Sequence, residues 1–342
     1  KIMKAYILHK HGRPLTLKIA DVPEPIPGNQ QVKIKIKNIG LNYAEIQSRK
    51  GLYGWAPKLP YTLGMECYGE IVEVGTECKQ RQVGDLVIVG TQFGTYAEYI
   101  VVDESQALLA VPDFTPEENA AFAVNYMTAW VSLMDIARIR PSDSILIQVA
   151  AGGVGTAAVQ IAKSYGCKVF GTASSDEKIQ LLKKLKVDIP INYKTTDFTE
   201  VIRNEQNGEG VDVVIEVIGG DVFKKSRNLL NPFGRIVVAG FASLNLNKWN
   251  PLSWIKTYNA IPRASVTKLG ESSTGFMATH LGYLLKKPDL MTQIWNDLVK
   301  FTIKHKIKPI IGHTFSFSEM PAAHKLMESR KSKGKIIIKV SD

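Results

Sequence analysis

Ile145-Leu-Ile-Gln-Val-Ala-Ala-Gly152-Gly-Val-Gly155-Thr-Ala-Ala-Val-Gln160 is the stretch from which the rest of the chain is read. Ile145 to Ala162 carries no charge over 18 residues, long enough to pass for a membrane span. Gln148, Gly152, Gly153, Gly155 and Gln160 break it instead into a buried strand, a glycine turn and a helix. Gly152 and Gly155 have the spacing of the last two glycines of a dinucleotide-binding fingerprint, and a strand before with a helix after is the setting that fingerprint requires. Without Cβ atoms the turn lets a pyrophosphate approach its backbone, where the helix N-terminus offers N–H groups and a positive dipole end. Glycines that merely make a tight turn are the competing reading, and the flanking elements weigh against it.

Downstream of Ser144 the pattern alternates strand and helix. Strands are expected at 144–150, 168–173, 189–192, 211–217 and 235–239, with helices at 154–165, 176–185 and 198–204. Such alternation implies a parallel sheet with helices on both faces. NAD-binding folds place an Asp or Glu about 20 residues past the glycines, to hold the ribose 2′-hydroxyl. Here the second strand ends in Ser174 and Ser175, and Lys178 follows on the next helix. Hydroxyls and a cation without a carboxylate suit the 2′-phosphate of NADP. Asp176 is read as a first-turn helix residue.

Upstream, the first 120 or so residues carry short β-branched runs at 4–8, 31–39, 69–74, 86–89 and 96–102, divided by glycine turns and the proline segment Pro23–Gly28. That pattern indicates a compact barrel-like domain. Thr115-Pro116-Glu117-Glu118 caps a helix leading out of it. A helix at 289–304, a strand near 310–315, a helix at 318–329 and a strand at 335–340 follow later and return the chain to the first domain. Residues 244–276 show no decisive periodicity. Trp249, Trp254 and Tyr258 crowd this region and read as core or dimer packing rather than a lid or membrane-touching patch.

Composition excludes several classes. At 45% hydrophobic and 22% charged residues the chain is neither disordered nor fibrous. Cys67, Cys78 and Cys167 are scattered, which argues against a disulfide framework and for a reducing, cytoplasmic compartment. The net charge is +11, and from Lys300 onward ten Lys or Arg face three acids. This reads as a solvated lysine surface, since the basic residues are not interleaved with aromatics in a nucleic-acid-binding module.

Gly40-Leu-Asn-Tyr-Ala-Glu45, Arg49-Lys-Gly-Leu-Tyr53, Leu63-Gly-Met-Glu-Cys-Tyr-Gly69, Asn125-Tyr-Met-Thr-Ala129, Ala150-Ala-Gly-Gly-Val-Gly155, Gly171-Thr-Ala-Ser174 and Ile191-Asn-Tyr193 together carry a wider likeness. Over essentially its whole length the chain resembles the zeta-crystallin-like quinone oxidoreductase branch of the medium-chain dehydrogenase/reductase superfamily. His280-Leu-Gly-Tyr-Leu and Ile307-Lys-Pro point within it to the vesicle amine transport protein group. The resemblance implies an α/β chain with a GroES-like β-rich catalytic domain, residues 1–124 and 286–342, and a Rossmann domain with a doubly wound parallel sheet, residues 125–285, that binds NADPH. It implies catalytic roles for Asn42, reaching the nicotinamide end, and Tyr53, lining the substrate site. Thr128 falls near the nicotinamide ribose, and Gly152, Gly153, Val154 and Gly155 form the pyrophosphate turn. Ser174, Lys178 and Tyr193 surround the 2′-phosphate, and Phe241 follows a strand whose end contacts the nicotinamide. Val149 stands where the branch often has Ala or Gly. A homodimer through the edge of the Rossmann sheet, near 276–284, is also implied.

Zinc-dependent relatives place Cys where this chain has Asn42 and His where it has Met65, and neither substitute is a first-rank zinc ligand. No Cys lies between Cys78 and Cys167 to build a structural zinc lobe. No metal is therefore expected, and Glu66 is assigned a structural role. Without a Lewis acid the acceptor must be activated by conjugation, as in quinones and α,β-unsaturated carbonyls. His280, His305, His313 and His324 are read as packed or surface residues. The alternative from another class is a protein of the vesicle type that binds NADPH and associates with a membrane or partner, with little reductase activity.

Overall fold

The computed structural model describes residues 1–240, 255 and 258–340. It divides into two compact units, Lys1–Met127 with Leu281–Asp342, and Thr128–His280.

The first unit is β-rich. Strand β1 (Ile2–Leu8) pairs antiparallel with β2 (Lys18–Pro23) and with the short β4 (Tyr61–Thr62). A larger sheet is built around β3 (Gln31–Gly40), which pairs with β5 (Glu66–Val74) and β7 (Tyr99–Asp103). Beyond β5 lie β6 (Leu86–Gly90) and β8 (Ala107–Leu109). Val32, Ile34 and Ile36 point from β3 into the core, and Lys33, Lys35 and Lys37 alternate with them on the other face. Helix α1 (Tyr43–Lys50) follows β3, and α2 (Pro116–Ala120) and α3 (Ala123–Trp130) close the segment. Thr115 caps α2 as its sequence promises, with its hydroxyl accepting from the Glu118 amide at 3.2 Å.

The second unit starts with β9 (Ser144–Ile147) and α4 (Gly153–Tyr165). It continues through β10 (Lys168–Ala173), α5 (Asp176–Lys184), β11 (Ile189–Asn192), α6 (Phe198–Glu205), β12 (Val211–Glu216), α7 (Gly220–Arg227), β13 (Leu230–Val238), α8 (Val266–Ser272) and β14 (Gly275–Ala278). Its sheet is parallel, in the order β11-β10-β9-β12-β13-β14. Counted from β9 this is the 3-2-1-4-5-6 arrangement of a dinucleotide-binding fold, with the order reversing at β9. The glycine turn leaves β9 at that switch point. All four β9 side chains are buried, as a strand covered on both faces demands.

After Leu281 the chain supplies the first unit with α9 (Pro288–Lys304), β15 (Ile311–Ser316), α10 (Met320–Glu328) and β16 (Lys335–Lys339). Strand β16 pairs antiparallel with β3, and Ile336 and Ile338 join Val32, Ile34 and Ile36 in one core.

Several elements had no counterpart in the sequence, among them β2, β4, β8, α1 and α7. Strand β2 is a six-residue run whose polar side chains face solvent, and α7 offers only Val222 and Phe223 as large apolar residues among charged ones. Strand β14 supplies order within 244–276 by pairing with β13. Trp249, Trp254 and Phe241 lie outside the described residues. Tyr258 is exposed, and the Arg263 guanidinium sits 3.7 Å from its ring centre.

Candidate functional site

In the glycine turn, Gly152 is the N-cap of the 13-residue helix α4 and has no side chain to occupy its N-terminus, and the first turn carries no acidic residue. The positive end of the helix is thus left for an external anion. Gly155 answers to packing: a Cβ there would lie 2.2 Å from the Val149 carbonyl oxygen and 2.7 Å from the Ala150 Cα. Only glycine lets α4 seat this close to the strand end. Below the turn, Thr172 donates its hydroxyl to Gln148 Oε1 at 2.6 Å and accepts from the Val149 amide at 3.1 Å. Gln148 in turn donates to Ser226 Oγ at 3.0 Å, so β9, β10 and α7 share one buried polar tie.

Ser174 and Tyr193 follow the neighbouring ends of β10 and β11, which run parallel in register with Ala173 opposite Asn192, and Lys178 lies in the helix after β10. The Tyr193 amide donates to the Ala173 carbonyl at 3.1 Å. Ser175 caps α5, accepting from the Lys178 amide at 3.4 Å, and this sets Lys178 in the first turn. Lys178 is buried, and desolvation pulls its ammonium below the ordinary lysine range. Lys194 adds a second cation whose charge acts on Lys178 in the same direction. Asp176 is exposed in the first turn of α5 and accepts from Asn192 Nδ2 at 3.2 Å. The donor set is cationic and hydroxylic, which fits a phosphate. Thr128 is buried in α3.

The first unit holds Asn42 at the N-cap of α1. Its side chain does not cap the helix. Nδ2 donates to Glu66 Oε1 at 2.9 Å and to the Gly40 carbonyl at 3.3 Å, and Oδ1 accepts from Lys335 Nζ at 2.8 Å. Lys335 also pairs with Glu66 Oε1, and Glu66 Oε2 accepts from the Val124 amide at 2.9 Å. Both charged side chains are almost fully buried. Gly40 makes room for them: a Cβ there would stand 2.8 Å from Lys335 Cε and 2.9 Å from Glu66 Cγ. Lys335 escaped the sequence reading. The one signal for it was Glu66 itself, since a buried carboxylate with no metal nearby needs a cation.

Behind Asn42 lies a second buried chain. Glu45 accepts from the Asn42 amide at 2.9 Å and the Met65 amide at 2.7 Å. Its Oε2 also accepts from the Tyr96 hydroxyl at 2.6 Å. Tyr96 meets His324 Nε2 at 2.9 Å, and Arg49 Nε donates to His324 Nδ1 at 3.2 Å. Arg49 reaches out to Glu328 Oε2 at 2.6 Å. Burial pushes Glu45 up to about 7 against the pull of its donors, and burial with the Arg49 charge pushes His324 down to about 3.

Tyr53 is half-buried beyond the C-terminus of α1. It donates to Gln92 Oε1 at 3.3 Å, and its ring centre lies 6.5 Å from that of Trp55. Burial and the Glu45 charge push its phenol up to about 12, so it keeps its proton as a hydrogen-bond donor. His324 is packed, as expected, and His305 stacks on Phe301 at 4.3 Å between centres. Among the described residues no cluster of three or more His, Cys, Asp or Glu is placed to hold a metal ion.

Comparison with known proteins agrees with this architecture. Residues 28–113 match the alcohol dehydrogenase GroES-like domain family, and residues 153–267 match the family described as zinc-binding dehydrogenase. The synaptic vesicle membrane protein VAT-1 homolog of Rattus norvegicus is 35% identical over 92% of this chain and 78% of its own length. The quinone oxidoreductase of Sus scrofa is 30% identical over 99% of this chain and 98% of its own. A mycobacterial protein solved in complex with NADPH superposes with a TM-score of 0.88 at 26% identity, covering 99% of this chain and all of that one.

Proposed function

Because the chain belongs to the medium-chain dehydrogenase/reductase superfamily, among the VAT-1 homologues and quinone oxidoreductases, we propose that it reduces a quinone or other conjugated carbonyl without zinc. NADPH is the cofactor, and when bound it supplies the hydride. The turn at Gly152–Gly155 receives the pyrophosphate on its backbone amides, and Ser174, Lys178, Tyr193 and Lys194 receive the 2′-phosphate. Asn42 and Tyr53 are proposed to orient the nicotinamide end and the acceptor, with Thr128 at the ribose. Phe241 is carried as a further cofactor contact on the likeness alone.

The observation that supports the zinc-free reading is the Asn42–Glu66–Lys335 cluster. Where zinc relatives carry a Cys ligand, this chain has an amide already committed to a buried ammonium and carboxylate. Met65 in place of the His ligand adds no first-rank donor. Without a metal to polarise a carbonyl, the acceptor has to be electrophilic by conjugation. A homodimer through the edge of the parallel sheet, where β14 lies, is carried on the likeness, and a cytoplasmic setting on the scattered cysteines.

The test is NADPH oxidation by the purified protein over a panel of quinones and enones, with and without a zinc chelator. Turnover unchanged by the chelator is the expected result. Tight NADPH binding with no turnover on any acceptor would overturn it. That outcome would favour the second reading, an NADPH-binding protein acting through a membrane or partner, which the higher identity to the VAT-1 homologues supports. Among the described residues no helix is long and apolar enough to cross a membrane.

A further inference from the structure

We propose that Tyr96 and His324 are positioning residues for the reducing site: through Glu45 they hold the backbone amides of Asn42 and Met65, with Arg49 as the buried donor at the far end of the chain. The assignment rests on the oxidoreductase reading for its catalytic meaning, and on geometry for the rest. Glu45 and Arg49 lie four residues apart on α1, on one helix face, yet they do not touch through any bond of the chain described above. His324 from α10 and Tyr96 from the segment before β7 stand between them.

Each link has a fixed direction. Arg49 donates to His324 Nδ1, so the neutral ring carries its hydrogen on Nε2 and gives it to the Tyr96 oxygen. Tyr96 then has its own hydrogen to give to Glu45 Oε2. Both Glu45 oxygens therefore end on fixed donors: Oε2 on the Asn42 amide and Tyr96, Oε1 on the Met65 amide. Arg49, His324, Tyr96 and Glu45 are all fully buried. The chain starts at a guanidinium, which does not surrender its proton, so it holds a geometry and does not conduct protons. What it holds are the backbones at the two positions that are metal ligands in zinc relatives.

The test compares Tyr96→Phe, His324→Leu and His324→Gln, the last keeping one acceptor and one donor. Hydrogen exchange at the Asn42 and Met65 amides is expected to quicken about tenfold in Tyr96→Phe and His324→Leu, with strands β9 to β12 unchanged and His324→Gln near wild type. With NADPH and a quinone, kcat is expected to fall about tenfold in the first two, with KM for NADPH held within about twofold. Unchanged exchange at Asn42 and Met65, or a uniform rise across both units, overturns the proposal. If wild type turns over no acceptor but the exchange pattern holds, the oxidoreductase reading fails while Tyr96 and His324 keep their hold on the two amides. If wild type is active and all three variants match it, the positioning role fails and the oxidoreductase reading stands.

Discussion

Val149 holds a left-handed backbone with φ of 54°. A β-branched residue adopts that conformation at a cost of about 1–2 kcal/mol. The surroundings impose it: the Val149 amide is bound by Thr172 and its carbonyl oxygen is crowded by Gly155. Val149→Gly is therefore expected to raise stability in urea titration by about 1 kcal/mol, after the larger entropy of an unfolded glycine is subtracted. A variant less stable than wild type would show that the valine side chain packs more than it strains. At this scale the residues proposed for the cofactor could be picked out because they fall at the ends of consecutive strands, where order along the chain becomes order in space. Lys335 and His324 were not, since their partners Asn42 and Arg49 lie 293 and 275 residues away. No local pattern announces such a pair.

The element that binds the first unit together is β16. Beyond its apolar core residues it delivers Lys335 to Glu66 on β5 and Asn42 ahead of α1. Lys335→Met leaves Glu66 buried without a counter-charge and is expected to cost about 3–5 kcal/mol in denaturant titration. Adding Glu66→Gln should recover most of that loss; failure to recover it would mean the ammonium stabilises the unit by more than charge neutralisation. Strands β9 to β13 were legible as elements because they are apolar, β-branched and spaced by amphipathic helices. Helix α7 lacked such a stripe, and its N-cap Gly219 and first residue Gly220 both have positive φ, so local propensity argued against a helix that tertiary packing of Phe223 provides.

For the whole molecule, the two buried titratable groups of the positioning chain pull stability in opposite directions. His324 has a folded pKa of about 3 against an ordinary 6.5, so its contribution is intact above 6.5 and is lost as pH falls toward 3. Glu45 has a folded pKa of about 7 against 4.5, so its contribution is complete below 4.5 and lost as pH rises through 7. Below pH 4.5 Glu45 is protonated in both states, and of the two only His324 still acts. Between pH 4.5 and 3 wild type is expected to lose about 1.4 kcal/mol per pH unit more than His324→Gln, read from urea titrations at each pH. Parallel slopes would show that the ring takes up a proton in the folded state without penalty.

The first unit is assembled from two stretches of chain, with the parallel-sheet unit encoded between them. During synthesis the ribosome releases Asn42, Glu45 and Glu66 long before Lys335 and His324 exist. The intervening unit has all its strands from one continuous segment and can mature as it emerges. The nascent N-terminal sheet instead waits with an uncompensated carboxylate at Glu66 and a tyrosine at Tyr96 that has no imidazole to receive. A chain halted before Lys335 lacks the cation that Glu66 needs, so the β-rich unit closes only after the parallel-sheet unit has been made.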